Sequence, residues 1–330
     1  MFFRENYFSK PNTDHLKGVA AILIVLHHLY QQTALTTDWG VLAPIMQYFG
    51  YGLVAVFFFV SGYGITLTAS RKTDYVGHFL SHRVLPLFLL YCFLVVLYVI
   101  SDWLLKDTLP TGRQLLQSFL IGSTVVSHGW FFQSILIFYL CFYLSWKFTR
   151  RYRFTLLVTT LCAYILICIL CHIPISYYVS TPVFYLGCYF AVHKDSVDSF
   201  CRHHLLPTAG IVVILTIFLF VKRNSLIINT LPPPILLGVL NIFFVSSIVV
   251  LTMLLPAQAK ILDIFAAVSL EIYYIQGLAF RLLRNSHWHL SSDLCYILGG
   301  LTLTFVLAYG FRPVTRWVMA LPSYHKRIKG

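Results

Sequence analysis

Lys17 and His28 combine a cation and an imidazole with an apolar run between them. Ten residues, Gly18 to His27, separate them, and none carries a formal charge. At ~1.5 Å rise per residue, a helix carries His28 ~16 Å beyond Lys17. That is about half of the ~30 Å hydrocarbon core of a bilayer. An ionisable group at such depth is costly and marks a functional site by default. A neutral imidazole there can act as a general base or as a nucleophile. His27 points ~100° away around the helix and is read as structural.

Glu271 is the acidic residue set deep in an apolar segment. Counted along one helix from residue 262 it lies ~14 Å in, so it shares a depth with His28. The expectation is a catalytic pair, His28 and Glu271, facing each other across a cavity between the first and ninth spans. The plainer alternative for Glu271 is a polar tie between helices. Lys17, Arg71, Lys72 and Arg83 stand at the inner ends of the first three spans and suit the phosphates of a donor substrate. Charge-assisted bonds to phosphate contribute ~1.5–3 kcal/mol each. A bias of cations towards the cytoplasmic side explains the same residues without a ligand. Ser61 and Tyr63 flank Gly62 in the second span and are read with the donor group. Ser61 could bond an acyl carbonyl, or simply pack at a small-residue crossing. Trp130, Tyr274 and Gln276 are read as acceptor-side groups, Trp130 as a stacking platform for a sugar or as a membrane-interface anchor.

The elements that must position these residues are membrane helices. The 330 residues are 58% hydrophobic and 11% charged, with a mean hydropathy of +0.78. Soluble chains carry roughly 25% charged residues. Ten apolar runs predict spans near 15–34, 45–69, 84–103, 130–148, 154–171, 176–193, 206–221, 234–255, 262–283 and 293–311. The expected fold is therefore an all-α integral membrane protein of about ten transmembrane helices, one domain over 1–330. The apolar segment 115–128 is too short to span and reads as re-entrant or interfacial. Irregular backbone at that depth must line a cavity. With the N-terminus inside, only Lys106, Arg113, Lys222, Arg223, Arg281 and Arg284 of the 24 Lys and Arg fall outside, which predicts both termini in the cytoplasm. The net charge of +13 then reflects topology and acidic lipid, and calls for no nucleic acid. The start of the chain shows no cleavable signal pattern.

Other chemistries find little support. There is no nucleotide-binding glycine loop, no nucleophile-elbow motif and no H-E-x-x-H. Cys168-Ile169-Leu170-Cys171-His172 spells the c-type haem attachment pattern, but it is single and sits in a span, so neither haem nor metal is expected. The eight cysteines mostly lie inside spans, where they behave as small apolar side chains.

Four stretches, in order, resemble the membrane acyltransferase-3 family. Asp14-His15-Leu16-Lys17-Gly18 running to His28 is similar to the family's D-x-x-R-G opening with a histidine ten residues on. Phe57-Phe58-Phe59-Val60-Ser61-Gly62-Tyr63 resembles its apolar run ending in S-G-aromatic. Arg83-Val84-Leu85-Pro86 resembles the basic entry to its third span. Ser269 to Gln276 resembles its late S-[YL]-x-x-Y-L-x-H stretch, and Trp130-Phe131-Phe132 its W-F-L start of the fourth span. Two positions depart: the family arginine is Lys17, which lacks the planar fork, and the late histidine is Gln276, which cannot relay a proton. The resemblance implies transfer of an acyl group, usually acetyl from acetyl-CoA or another acyl-CoA, to a hydroxyl of a surface or lipid-linked glycan. It further implies residence in the plasma membrane, with lipid and glycan as partners. A different reading of the same residues is a transporter or flippase with His28 and Glu271 as proton relay. A third is a non-catalytic membrane subunit. Oligomeric state is left open.

Overall fold

The structure is a computed structural model that describes residues 3–122, 124–222, 232–255, 260–285 and 287–321, and the helical backbone of 322–328. Arg223, one of the outer cations, lies outside the described residues. The protein is 81% helix, and no strand forms among the described residues. The helices are α1 (Lys10–Thr33), α2 (Ala43–Arg71), α3 (Leu85–Lys106, entered through a π turn at Leu80–Val84), α4 (Gly112–Leu120), α5 (Trp130–Phe148) and α6 (Arg153–Leu170). They continue with α7 (Thr181–Val192), α8 (Lys194–Lys222), α9 (Pro233–Leu254), α10 (Lys260–Ala266), α11 (Ser269–Leu283) and α12 (Asp293–Ile328).

Seven of these helices, α2, α3, α5, α6, α8, α9 and α12, are long and apolar enough to cross a bilayer, and the α10–α11 pair makes an eighth candidate. Two other predicted spans form helices of different character. α1 is long enough, but its polar start and its buried histidines dilute its hydropathy. The span expected at 176–193 is helical only over the 12 residues of α7, ~18 Å of rise. Before it, Ile175–Tyr177 is a short 3₁₀ turn between Pro174 and Pro182, residues that restrict helix to their C-terminal side. The segment expected to be re-entrant or interfacial is the end of α4 followed, at 121–122 and 124–129, by turns and bends.

The contacts divide the chain into two compact units. The first comprises Met1–Ala20, Tyr48–Tyr75 and Tyr152–Ala267. Its core gathers Phe8, Phe59, Tyr63, Phe190 and the apolar faces of α8 and α9. Phe8 meets Tyr63 edge-on at 5.0 Å between ring centroids, a favourable aromatic arrangement. Here α2 and α7 cross in close backbone contact. A Cβ on Gly62 would strike the carbonyl oxygen of Phe184, and one on Gly187 would strike that of Phe59. Such close approach of small residues is how apolar helices associate without a hydrophobic driving force. Gly18 does the same for the start of α1, lying 2.6 Å in Cβ terms from the amide of Ala266.

The second unit comprises Ala21–Gln47, Val76–Arg151 and Val268–Gly330. Here the second half of α1 is laced to α12. Tyr296 donates its hydroxyl to Gln32 at 2.5 Å, Thr37 donates to Asp293 at 2.7 Å, and Leu29 fills the space above Gly300. Nearly every residue of α11 is buried. This wrapping lets α11 carry polar side chains that must be satisfied by neighbours rather than by solvent.

Candidate active site

His28 lies in the second unit, 7% exposed, on the part of α1 that meets α11. Its Nδ1 is 3.0 Å from Oε1 of Gln276. Gln276 is fully buried, and its amide nitrogen donates to the carbonyl oxygen of Tyr273 at 2.8 Å. That bond fixes which end of the amide faces the imidazole. The oxygen can only accept, so the proton sits on His28 Nδ1, and Nε2 keeps its lone pair. An imidazole in this tautomer is a base at a defined atom.

A second imidazole covers the first. The ring of His128 stacks on that of His28, with centroids 3.5 Å apart and planes 12° apart. His128 belongs to the irregular segment between α4 and α5, and its backbone has φ +60°. L-residues pay ~1–2 kcal/mol in that left-handed region, where glycine is the default. Backbone outliers held at this cost cluster at functional sites.

The segment that presents His128 is closed at its neck and pinned at its tip. Gly122, at φ +83°, and Gly129 lie backbone to backbone, and a Cβ on either would meet the other's carbonyl. Arg281 of α11 donates to the carbonyl oxygen of Val125 at 2.9 Å and lies 3.4 Å from Ser127 Oγ. Its other terminal nitrogen donates to Asp102 of α3 at 2.8 Å, and its guanidinium lies 4.6 Å over the Tyr98 ring. Tyr98 in turn donates its hydroxyl to the Tyr274 carbonyl at 3.0 Å. Gly277 leaves room for all of this, since a Cβ there would run into Ser127 and into the Tyr98 hydroxyl.

His27 differs from its neighbour in kind. Its Nδ1 donates to the carbonyl oxygen of Met46 at 2.5 Å, a packing bond that closes the turn after α1.

Glu271 is 5% exposed, but its interactions run to α12. It hydrogen-bonds Thr315 and lies beside the Arg312 and Arg316 guanidiniums. The expected pairing with His28 is not made, and the reason is the break in the ninth span. Helix α11 starts at Ser269, so Glu271 sits in its first turn, ~140° around the helix from Gln276. Tyr274 is likewise tied to α12, through its hydroxyl and Thr315.

The remaining expected residues fall as follows. Lys17 is in the first unit, paired with Asp14 at 2.7 Å, whose other oxygen takes Lys10 at 2.8 Å. Arg71 closes α2 and Lys72 follows it, both exposed. Arg83 is exposed on the π turn before α3. Ser61 and Tyr63 flank the Gly62 crossing, and Tyr63 packs into the core of the first unit. Trp130 opens α5 directly after the His128 segment. The described residues offer no group of three or more His, Cys, Asp or Glu suited to a metal ion. Cys168 is buried and Cys171 exposed at the end of α6, with His172 beyond it at φ +53°.

Sequence reasoning did not single out His128, nor the Arg281–Asp102 pair. A signal was there: His128 directly precedes Gly129-Trp130-Phe131-Phe132, at the edge of the segment expected to line a cavity.

A helical membrane scaffold with a tautomer-fixed histidine and a second imidazole against it defines a class of group-transfer proteins. A family profile described as "Acyltransferase domain" matches residues 11–312, nearly the whole chain. The chain belongs to the acyltransferase-3 family and is a membrane acyltransferase. No curated protein and no solved structure gives a match.

Proposed function

We propose that the protein is an O-acyltransferase of the plasma membrane. It moves an acyl group, acetyl first of all, from cytoplasmic acyl-CoA to a hydroxyl of a surface or lipid-linked glycan. The observation that carries this reading is the Gln276-fixed tautomer, which leaves His28 Nε2 as a base at one atom. The acceptor hydroxyl gives its proton to Nε2 as its oxygen attacks the thioester carbonyl carbon. The carbon–sulfur bond then breaks, and the departing CoA sulfur takes the proton back from the imidazolium. His128 covers one face of the ring, so substrates approach Nε2 edge-on, and it donates a hydrogen bond to the thioester oxygen as charge builds there. A covalent acyl-His28 relay uses the same free nitrogen as nucleophile. The proton-relay reading needs His28 and Glu271 in series, and their partners are separate.

In this reading α1 and α7 complete the membrane-spanning set, giving about ten spans with both termini cytoplasmic. Lys17, Arg71, Lys72 and Arg83 then face the phosphates of the donor from the inner side. The test is transfer of label from [¹⁴C]acetyl-CoA to endogenous glycan in inverted membrane vesicles. Parent vesicles transfer label and His28→Ala vesicles do not. Equal transfer by both removes His28 from the chemistry, and no transfer by parent vesicles with any acyl-CoA overturns acyl-CoA as the donor.

A further inference from the structure

We propose that Arg281 and Asp102 form a clamp whose task is to hold His128 over His28, which makes Arg281 a positioning residue. The inference rests on the acyl-transfer reading above for what His128 does, but not for how it is held. The strained residue cannot hold itself: φ +60° is disfavoured for histidine, and the described residues 124–127 before it are not helical. Its restraint comes from outside. Arg281 takes the carbonyl of Val125 and reaches Ser127, two contacts within three residues of His128. Asp102 takes the guanidinium's other terminal nitrogen and so fixes the plane of the fork, which a lysine ammonium could not do. Tyr98 supports the guanidinium from one face, and Gly277 clears the path. One partly buried guanidinium thus joins α3, α11 and the backbone that carries the second imidazole.

The test has two arms. Hydrogen exchange of residues 124–129 in the detergent-solubilised full chain reads the clamp directly. Arg281→Gln and Asp102→Asn should each speed exchange there at least tenfold, while α11 and α12 stay protected, and Arg281→Lys should fall between. Unchanged exchange in Arg281→Gln overturns the clamp. Exchange that rises across the whole second unit also overturns it, since that marks a general fold contact. The second arm is a double-mutant cycle on label transfer. His128→Asn keeps a residue that tolerates the left-handed backbone and removes the imidazole. If Arg281 acts through His128, then Arg281→Gln lowers kcat at least tenfold in the parent, leaves the KM for acetyl-CoA within twofold, and costs little more in His128→Asn. Additive losses overturn the proposal. Should His128→Asn prove fully active, the role assigned to His128 fails, and the exchange arm alone decides the clamp.

Discussion

A histidine inside an apolar helix becomes a base at one atom only when something fixes its proton, and here that something is an amide. Gln276 looks from sequence like the loss of a second histidine. In place, it holds Nδ1–H of His28 and frees Nε2. His28→Ala should cut transfer by about 10²–10⁴, with protein level and thermal midpoint close to the parent's. His27→Ala, which removes a bond to Met46, should cost less than tenfold; equal loss in both variants would point to folding. Glu271→Gln should lower the melting temperature while leaving the pH–rate profile in place, because its partners are on α12. A displaced profile would restore the carboxylate to the chemistry. Depth made His28 legible in the sequence. His128 was not legible, because a ring stack between residues 100 positions apart leaves no periodicity.

At the level of elements, hydropathy placed the helices well and their interruptions poorly. Ten apolar runs correspond to helices, since lipid-soluble backbone must satisfy its own hydrogen bonds. Chain breaks inside apolar sequence leave weaker marks. Ala267 and Val268, between α10 and α11, carry no proline or glycine to announce the stop. That break puts Glu271 in a first turn with its partners on α12, while His28 is bonded to Gln276 about one and a half turns on. The segment 115–128 holds the end of α4 with non-helical backbone after it, and its pins lie on α3 and α11, far away in sequence. Gly277 is the element-level test. Gly277→Ala puts a Cβ into Ser127 and the Tyr98 hydroxyl. It should loosen residues 124–129 in hydrogen exchange and lower kcat more than tenfold, although alanine favours helix over glycine by ~1 kcal/mol. A stabilised, fully active variant would show that the segment can relax away from α11.

For the whole molecule, charge and hydropathy were the legible quantities, and topology is the prediction they support. Reporter fusions at both termini should report the cytoplasm, and a fusion after Asp107 should report the outside. A reversed pattern would undo the donor-side assignment of the cations. That assignment makes its own forecast. Lys17→Ala and Arg83→Ala should each raise the KM for acetyl-CoA severalfold more than that for the acceptor, and added salt should weaken donor binding in the parent. Lys17 already has a carboxylate partner in Asp14, so Lys17→Arg should be tolerated and Asp14→Asn should sharpen the salt response. Unchanged donor KM in both alanine variants would leave these residues to topology alone.

The crossing of α2 and α7 has a genetic consequence. Any single-base change in a glycine codon that alters the residue adds at least one carbon. At Gly62 and Gly187 that carbon has nowhere to go but into the opposing backbone, which cannot rotate aside as a side chain could. Neither change can be rescued by shrinking the residue it meets, because what it meets is the backbone carbonyl of Phe184 or Phe59, which every residue carries. In a saturation library selected for function these two codons should stay fixed, even against alanine and serine, while the lipid-facing codons around them drift freely among apolar residues.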